Sequence, residues 1–600
     1  MSEPSRSIVD VAREWRRVLV QGEGVPAWLA VPAVALAASQ LMVQAGTLRL
    51  PILGEHRWRE ADTYAVAYNF AHGSLDFFHP RMDLSRGLTG ITGMEPPVLP
   101  YITGLAMRVF GDSPTVGRLV VWLLGLVGLG ALLALMRRIR GPGLMVGFLL
   151  AFSLSPTALF ELRQIQPDGP TSMLAAIAAF FLYRFSCEEK RRDYFIGVGV
   201  YALAVLMKGP GLALAPAMVW FACAGRKVTF RELVRRGVGV GLAVALYFPW
   251  YRWAHYLTDA YNAGHPNFGI DFSLRGIKDA LGNVDLLHHV FWFIIPNYVS
   301  NWVLFPSLIV GIPAAFQRRT RRASLGFLLW LLFGSLFLAS FSPHLKAHWY
   351  YGNLVFVPMA YFVGFGLSEA LRLFTPDGPR QYSLMARWAA LTVLVTLVLQ
   401  RILVPKSHAL LDTVATSGAR PEASWMSDGH LTVLLCVLAL TLVVVQAAPA
   451  TWLRVAGFVL LPFAVYWGLG RARHDAIDVL RWRSRIADER TFRTRWTNTL
   501  RPAVDRFSTR ADFFVVNVPD GEDLIADDPF FLYLPMRRGW VESTSVLTKN
   551  GLDHYQKAGA RFFLNYNTTE LPEEATLTKL ASAPYFRLYC LDPKGCEPIR

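Results

Sequence analysis

Three acids share one polar, aromatic stretch: Glu60 and Asp62 in WREADT (58–63), and Glu95 in MEPPVLPY (94–101). A carboxylate held beside a hydroxyl can take its proton, which is the work of a general base. Asp62-Thr63 leads into the helical pattern YAVAYNFA, so Asp62 can also cap a helix start. Both roles can hold at once, since a capped Asp is well fixed. Glu60 and Asp62 lie two apart and would face different ways on a helix, so only one is expected to point into a shared site. A further acid, Asp168, follows Pro167 in LRQIQPDG (162–169), between two apolar runs. It reads either as a helix cap in a Pro-Gly turn or as a second carboxylate entering the same cavity. Charge at a membrane mouth costs energy and tends to mark a site.

The cations are arranged in a similar way. Lys208 lies in VLMKGPGLAL, a hairpin between two apolar runs. It can snorkel to the interface, or hold a lipid phosphate beside the Gly-Pro turn. The stretch SPHLKAHWYYG (342–352) brings together His344, Lys346, His348, Tyr350 and Tyr351. Interfacial anchoring is one reading; so dense a set in so short a loop favours contact with phosphate and sugar. The stretch 255–289 holds His255, His265, His288 and His289. A neutral imidazole such as His265, with Glu95, could ligate a divalent metal, although the spacing matches no metal motif.

These residues need a scaffold, and composition says which kind. Of 600 residues, 53% are hydrophobic and 17% charged, against about 25% charged in soluble domains. Mean hydropathy is +0.33. This excludes a disordered chain, a coiled coil and an ordinary cytosolic enzyme, and predicts a polytopic α-helical membrane protein. The net charge of +16 does not indicate nucleic acid, because Arg and Lys cluster in short loops between apolar runs. At roughly 20 apolar residues per span, the chain reads as about thirteen transmembrane helices. The first runs over 25–47, and the last three over 388–405, 430–448 and 452–470.

Basic clusters at 137–140, 190–192, 226–236, 318–322 and 372–387 alternate with basic-poor loops. By the positive-inside rule, the 1–24 segment is cytoplasmic and the long loop 48–115 lies outside. A loop of that length, rich in Trp, Tyr and Phe, suggests interfacial helices that build a site. The transmembrane module spans 25–470. From 471 to 600 the composition becomes soluble and predicts a small extracytoplasmic α/β domain. Its expected strands are FFVVNV (513–518), FFLYLP (530–535), ARFFLNYN (560–567) and YFRLYCLD (585–592). LTKNGLDHYQKAG (547–559) and 474–496 read as helices. Cys590 and Cys596 flank a short turn and could pair outside the cytosol. Asn567–Thr569 is a three-residue glycosylation sequon.

The motifs in this order resemble the GT-C superfamily of lipid-phosphosugar-dependent glycosyltransferases, in the branch of protein O-mannosyltransferases and aminoarabinose (lipid A) transferases. The likeness covers about 1–360. WREADT and MEPPVLPY match the family's first outer loop, QIQPDG (164–169) its Q-P-D turn, LMKGPG (206–211) its L-x-K-G-P turn, and HWYY (348–351) its H-x-Y-Y segment. The family's adjacent Asp-Glu pair is here split as Glu60-Ala61-Asp62, which leaves two candidates for the catalytic acid.

The resemblance implies transfer of a sugar from a polyprenyl-phosphate donor to a lipid, glycan or protein hydroxyl at the outer face of the cell inner membrane. It implies Asp62, Glu60 and Asp168 as catalytic candidates. Lys208, Lys346, His348, Tyr350, Tyr351 and Arg59 would serve the donor phosphate and sugar. Glu95 and His265 would hold a divalent metal, if one is used. Membrane lipids are implied partners, and nucleic acid is not. The competing class is a transporter or flippase of lipid-linked sugars. It would need midplane charges or paired broken helices in two halves, and neither is evident.

Overall fold

The structure is a computed structural model. It describes residues 27–49, 51–52, 57–84, 89–155, 158, 161–261, 305–340, 349–372, 493–519, 529–566, 570–592 and 594–599. The expected spans at 388–405, 430–448 and 452–470, residues 474–492 of the helix expected at 474–496, the sequon, and His265, Lys346 and His348 lie outside these residues.

The apolar runs form a helical bundle: Ala27–Thr47, Pro114–Arg140, Pro142–Leu154, Asp168–Glu188, Arg191–Met207, Ala215–Phe221, Phe230–Ala245, Tyr247–Ala260, Phe305–Ala315, Arg321–Ser340 and Asn353–Arg372. Among the described residues four helices are long and apolar enough to cross a membrane: Pro114–Arg140, Asp168–Glu188, Arg321–Ala339 and Tyr350–Glu369. Local chemistry sets the breaks. Ser113 caps Pro114–Arg140 by accepting from the Thr115 amide, with Pro at the start. Gly141, at φ 87°, turns the chain directly into Pro142–Leu154. The apolar stretch 237–254 falls in two helices meeting at Leu246, and 210–224 opens with the 3-10 turn Gly209–Leu214.

In the loop 48–115, expected to lie outside, the described residues include two helices, Arg57–His72 and Val98–Phe110. They pack closely because Gly104 has no side chain: a Cβ there would lie 2.7 Å from the Ala67 carbonyl oxygen and 2.8 Å from the Phe70 Cβ. Arg108 ties the pair by donating to the carbonyls of Phe70, Ala71 and Gly73. Arg57–His72 has no apolar stripe, yet most of it is buried. The bundle covers one side of it and the C-terminal domain the other.

That domain carries a five-stranded sheet in the order β2-β1-β3-β5-β4. The strands are β1 (Phe513–Val518), β2 (Arg538–Ser543), β3 (Ala560–Asn565), β4 (Thr578–Ala583) and β5 (Phe586–Cys590). β1 runs parallel to β2 and β3, and β5 is antiparallel to β3 and β4. Strands β1, β3 and β5 fall where the sequence put them. FFLYLP does not: Phe530–Tyr533 is a helical turn between Pro529 and Pro535, with its rings turned to the outer helix. The single helix expected at 547–559 is two, Thr544–Asn550 and Leu552–Lys557, parted by Gly551 at φ 72°. Sequence reading missed β2 and β4, the two edge strands. Cys590 and Cys596 form a disulfide.

Outer helix and C-terminal domain share one apolar core. Ala61, Tyr64 and Ala67 pack with Leu500, Val504, Phe514, Tyr533 and Val541. Both therefore lie on the same side of the bundle. Cysteines introduced at exposed Ser74 and Lys549, in a background lacking Cys187, are expected to react with an impermeant maleimide from the outside of intact cells. One at Arg319 is expected to react only after lysis. Opposite labelling of positions 74 and 549 would contradict the arrangement.

Candidate functional site

Glu60 is the best-anchored carboxylate of the outer helix. Arg118 donates to both of its oxygens, Nε at 3.1 Å and Nη2 at 2.9 Å. The Ile165 amide donates to Oε1 at 3.0 Å. The Gln164 amide, oriented with Nε2 toward Glu60, reaches both oxygens at 2.7 Å. Both partners of the ion pair are about 1% exposed. A bidentate Arg–carboxylate pair with its remaining lone pairs satisfied is the form in which buried charge is tolerated. Glu60 thus bolts the outer helix to the long helix Pro114–Arg140 and to the 163–168 turn, with both oxygens engaged by these donors.

Asp62 faces elsewhere, as the two-residue offset requires. It is not a helix cap, because the helix begins at Arg57 and Asp62 sits in its second turn. Its Oδ2 accepts from Arg59 Nη1 at 3.2 Å. The other arm of Arg59 meets Glu95. Glu95 is in turn fixed by its neighbour, since Trp250 of Tyr247–Ala260 donates its indole N–H to the Met94 carbonyl at 2.8 Å.

Asp168 opens helix Asp168–Glu188 but does not cap it: the cap position is Pro167, with no side-chain cap bond. Its carboxylate instead accepts from Lys208 Nζ at 2.7 Å, and both residues are buried. Lys208 therefore does not snorkel. The helix Arg191–Met207 ends at Lys208 in extended backbone, which turns the side chain inward. Its ammonium lies 5.1 Å from the Tyr350 ring centre and 4.5 Å from that of Tyr351, a cation–π arrangement. The tyrosines are held by Asn353, which donates to the Tyr350 carbonyl at 2.9 Å and to Glu161 at 3.4 Å. Ser172 donates to the Asn353 carbonyl at 2.7 Å.

Electrostatics joins these groups into one site. Burial alone would lower the Arg59 guanidinium; Asp62 and then Tyr350, Asp168 and Tyr351 outweigh it and hold the group above its ordinary value. Lys208, in the turn between two helices, is pushed down to about 8 by burial, against the opposing pull of Asp168. Arg59, Asp62, Glu95, Asp168, Lys208, Tyr350 and Tyr351 thus form one buried cluster of mixed charge. The cluster has carboxylate to take a proton and cation to meet an anion.

Four buried groups in and around this cluster escaped the sequence reading: Arg118, Glu161, Arg163 and Asn353. The signal for Arg118 was present. It is the one charge in the first 23 residues of Pro114–Arg140, where an ionisable group is expensive and marks a function. Of the expected metal pair, His265 lies outside the described residues. Glu95 faces the Arg59 guanidinium, and no group of three or more metal-ligating side chains occurs among the described residues.

Residues 94–253 match the family model described as dolichyl-phosphate-mannose-protein mannosyltransferase. No curated protein matches. Among solved structures, ArnT from Cupriavidus metallidurans bound to undecaprenyl phosphate is 16% identical, with 93% of this chain and 98% of that chain covered and a TM-score of 0.57. Its apo form gives 16%, 93%, 97% and 0.55. The oligosaccharyltransferase AglB from Archaeoglobus fulgidus, in complex with an inhibitory peptide and a dolichol-phosphate, gives 13%, 89%, 69% and 0.44.

The depressed Lys208 carries a pH prediction. A lysine lowered to about 8 is charged below that pH and neutral above it, so anion binding that depends on it is lost as pH rises through 8. Since kcat/KM reports the free protein, kcat/KM for an anionic substrate is expected to show an alkaline limb near pH 8. Lys208→Arg should remove that limb, because Arg stays charged. An unmoved limb in Lys208→Arg would assign it to another group.

Proposed function

We infer that this chain, a membrane glycosyltransferase of the GT-C superfamily, moves a sugar from a polyprenyl-phosphate donor to an acceptor hydroxyl at the outer face of the inner membrane. The observation that carries this reading is the buried pairing of Lys208 with Asp168, set over two tyrosines and coupled to Arg59 and Asp62. Two desolvated cations in an apolar bundle suit a lipid-borne phosphate, and a carboxylate beside them suits a hydroxyl. The undecaprenyl phosphate bound in ArnT supports the same donor class.

In this reading the acceptor O–H gives its proton to Asp62 as its oxygen attacks the anomeric carbon. The carbon–oxygen bond to the phosphate breaks on the opposite face, and the phosphate leaves with the electron pair. Arg59 and Lys208 meet the developing charge. Fixed cations in a water-poor site stabilise such charge far more than in bulk water. Lys208 has three N–H donors; one serves Asp168, which leaves others for phosphate oxygens. Asp168 offsets the cost of burying the ammonium before donor arrives, and Tyr350 and Tyr351 wall the site. Lys346 and His348, close in sequence to these tyrosines, are proposed to extend the donor contacts. No step is routed through a metal. The 1–24 segment is cytoplasmic and the 471–600 domain extracytoplasmic. The acceptor class, whether lipid, glycan or protein, is left to experiment. A flippase finds no support in the site, since carrying lipid across does not call for a base.

Asp62→Asn separates base from scaffold. Transfer is expected to fall by a factor on the order of 10² or more, with donor binding and thermal stability retained. Glu60→Gln should instead destabilise by about 3–5 kcal/mol, because it takes the carboxylate from a buried ion pair and leaves the Arg118 charge uncompensated by it. If Glu60→Gln abolishes transfer at full stability while Asp62→Asn stays active, Glu60 is the base.

A further inference from the structure

We propose that the C-terminal domain is a clamp that positions the donor-side charges, acting through a lock between Asp83 and Arg510. The proposal rests on the transferase reading above for its kinetic arm.

Asp83 lies in the outer loop, far in sequence from the domain, and is buried. Arg510 Nη2 donates to both of its oxygens, at 2.8 and 2.7 Å. The Asp83 carbonyl accepts from the Gly539 amide at 2.9 Å, and Leu84 bridges Gly539 in parallel. Gly539 belongs to β2, an edge strand. The outer loop thus covers a sheet edge that would otherwise present unpaired backbone groups. Arg510 also lies 3.9 Å from the centre of the Tyr68 ring on the outer helix.

The contact continues inward without a gap. Asn69 of the outer helix donates to Asp83 Oδ1 at 3.1 Å and to the Arg81 carbonyl at 2.9 Å. Arg81 bridges Ile91 in antiparallel fashion, Met82 donates to the Gly90 carbonyl, and Thr92 to that of Pro80. Three residues beyond Thr92 stands Glu95, which meets Arg59. The path from Arg510 to Arg59 is therefore Asp83, the pairing of Pro80–Met82 with Gly90–Thr92, and Glu95. Nothing in it touches a reacting atom, so Asp83 and Arg510 are positioning residues. Catalysis is sensitive to such seating, since a shift of about 1 Å from a remote change can cost a factor near 10².

The test uses the full-length protein in detergent with Arg510→Met, Asp83→Asn and the double variant. Two readouts are taken: amide hydrogen exchange of the 81–95 segment, and kcat for transfer. The lock predicts faster exchange at 81–84 and 89–95 and a kcat at least tenfold lower in each single variant. The double variant should fall no further than either single one, because one interaction is lost only once. Unchanged exchange in this segment would overturn the clamp. So would faster exchange with kcat unchanged, which would make the contact a seam of the fold only. If the unaltered protein transfers no sugar from a polyprenyl-phosphate donor, the transferase reading falls, and exchange alone then decides whether the domain holds the loop.

Discussion

A charge inside an apolar bundle is tolerated only when it is fully paired, and Glu60–Arg118 is where this chain meets that demand. Arg118 interrupts a long apolar helix, and alone it would be costly there. Glu60 arrives from the outer loop and satisfies it from two nitrogens, while the 164–165 turn supplies the remaining donors. The pair therefore does more than neutralise. It fixes the rotation of helix Arg57–His72, and once that is set, Arg59 and Asp62 can point only where they do. The same turn leads within three residues to Asp168 and hence to Lys208. One buried ion pair thus sets the register of both halves of the site.

This arrangement divides labour among parts of different character. The bundle contributes apolar walls, two tyrosine faces and a lysine that burial has brought to the edge of neutrality. The outer loop contributes the carboxylates and Arg59. Among the described residues the C-terminal domain adds no charge to the cluster, yet its core is continuous with the outer helix. A helix with so little apolar stripe would not hold its place against a bundle alone. The second layer supplies the burial that fixes it.

Much of this was legible in the sequence, for definable reasons. Hydropathy alternation located the bundle, and the order of short motifs brought Arg59, Asp62, Asp168, Lys208, Tyr350 and Tyr351 into one site. Strands β1, β3 and β5 were visible because they are inner strands with continuous apolar runs. β2 and β4 were not, because an edge strand needs fewer apolar residues. Phe530–Tyr533 misled for the opposite reason: its rings look like a strand, but flanking prolines fold it into a turn. The capping roles considered for Asp62 and Asp168 failed because propensity sees only neighbours in sequence. Asp62 lies in the second turn of a helix that begins at Arg57 and accepts from Arg59, and Asp168 answers to Lys208, forty residues along. Glu60 shows the same limit, since its meaning depends on an arginine fifty-eight residues away.

The central claim is that the cations of this buried cluster receive a lipid phosphate. A cryo-EM structure of the protein with undecaprenyl phosphate tests it most directly. The account predicts phosphate density within hydrogen-bond reach of both Lys208 and Arg59, beside Tyr350 and Tyr351, with Glu60–Arg118 unchanged. Phosphate bound elsewhere, with Lys208 still closed on Asp168 and no density near Arg59, would contradict it.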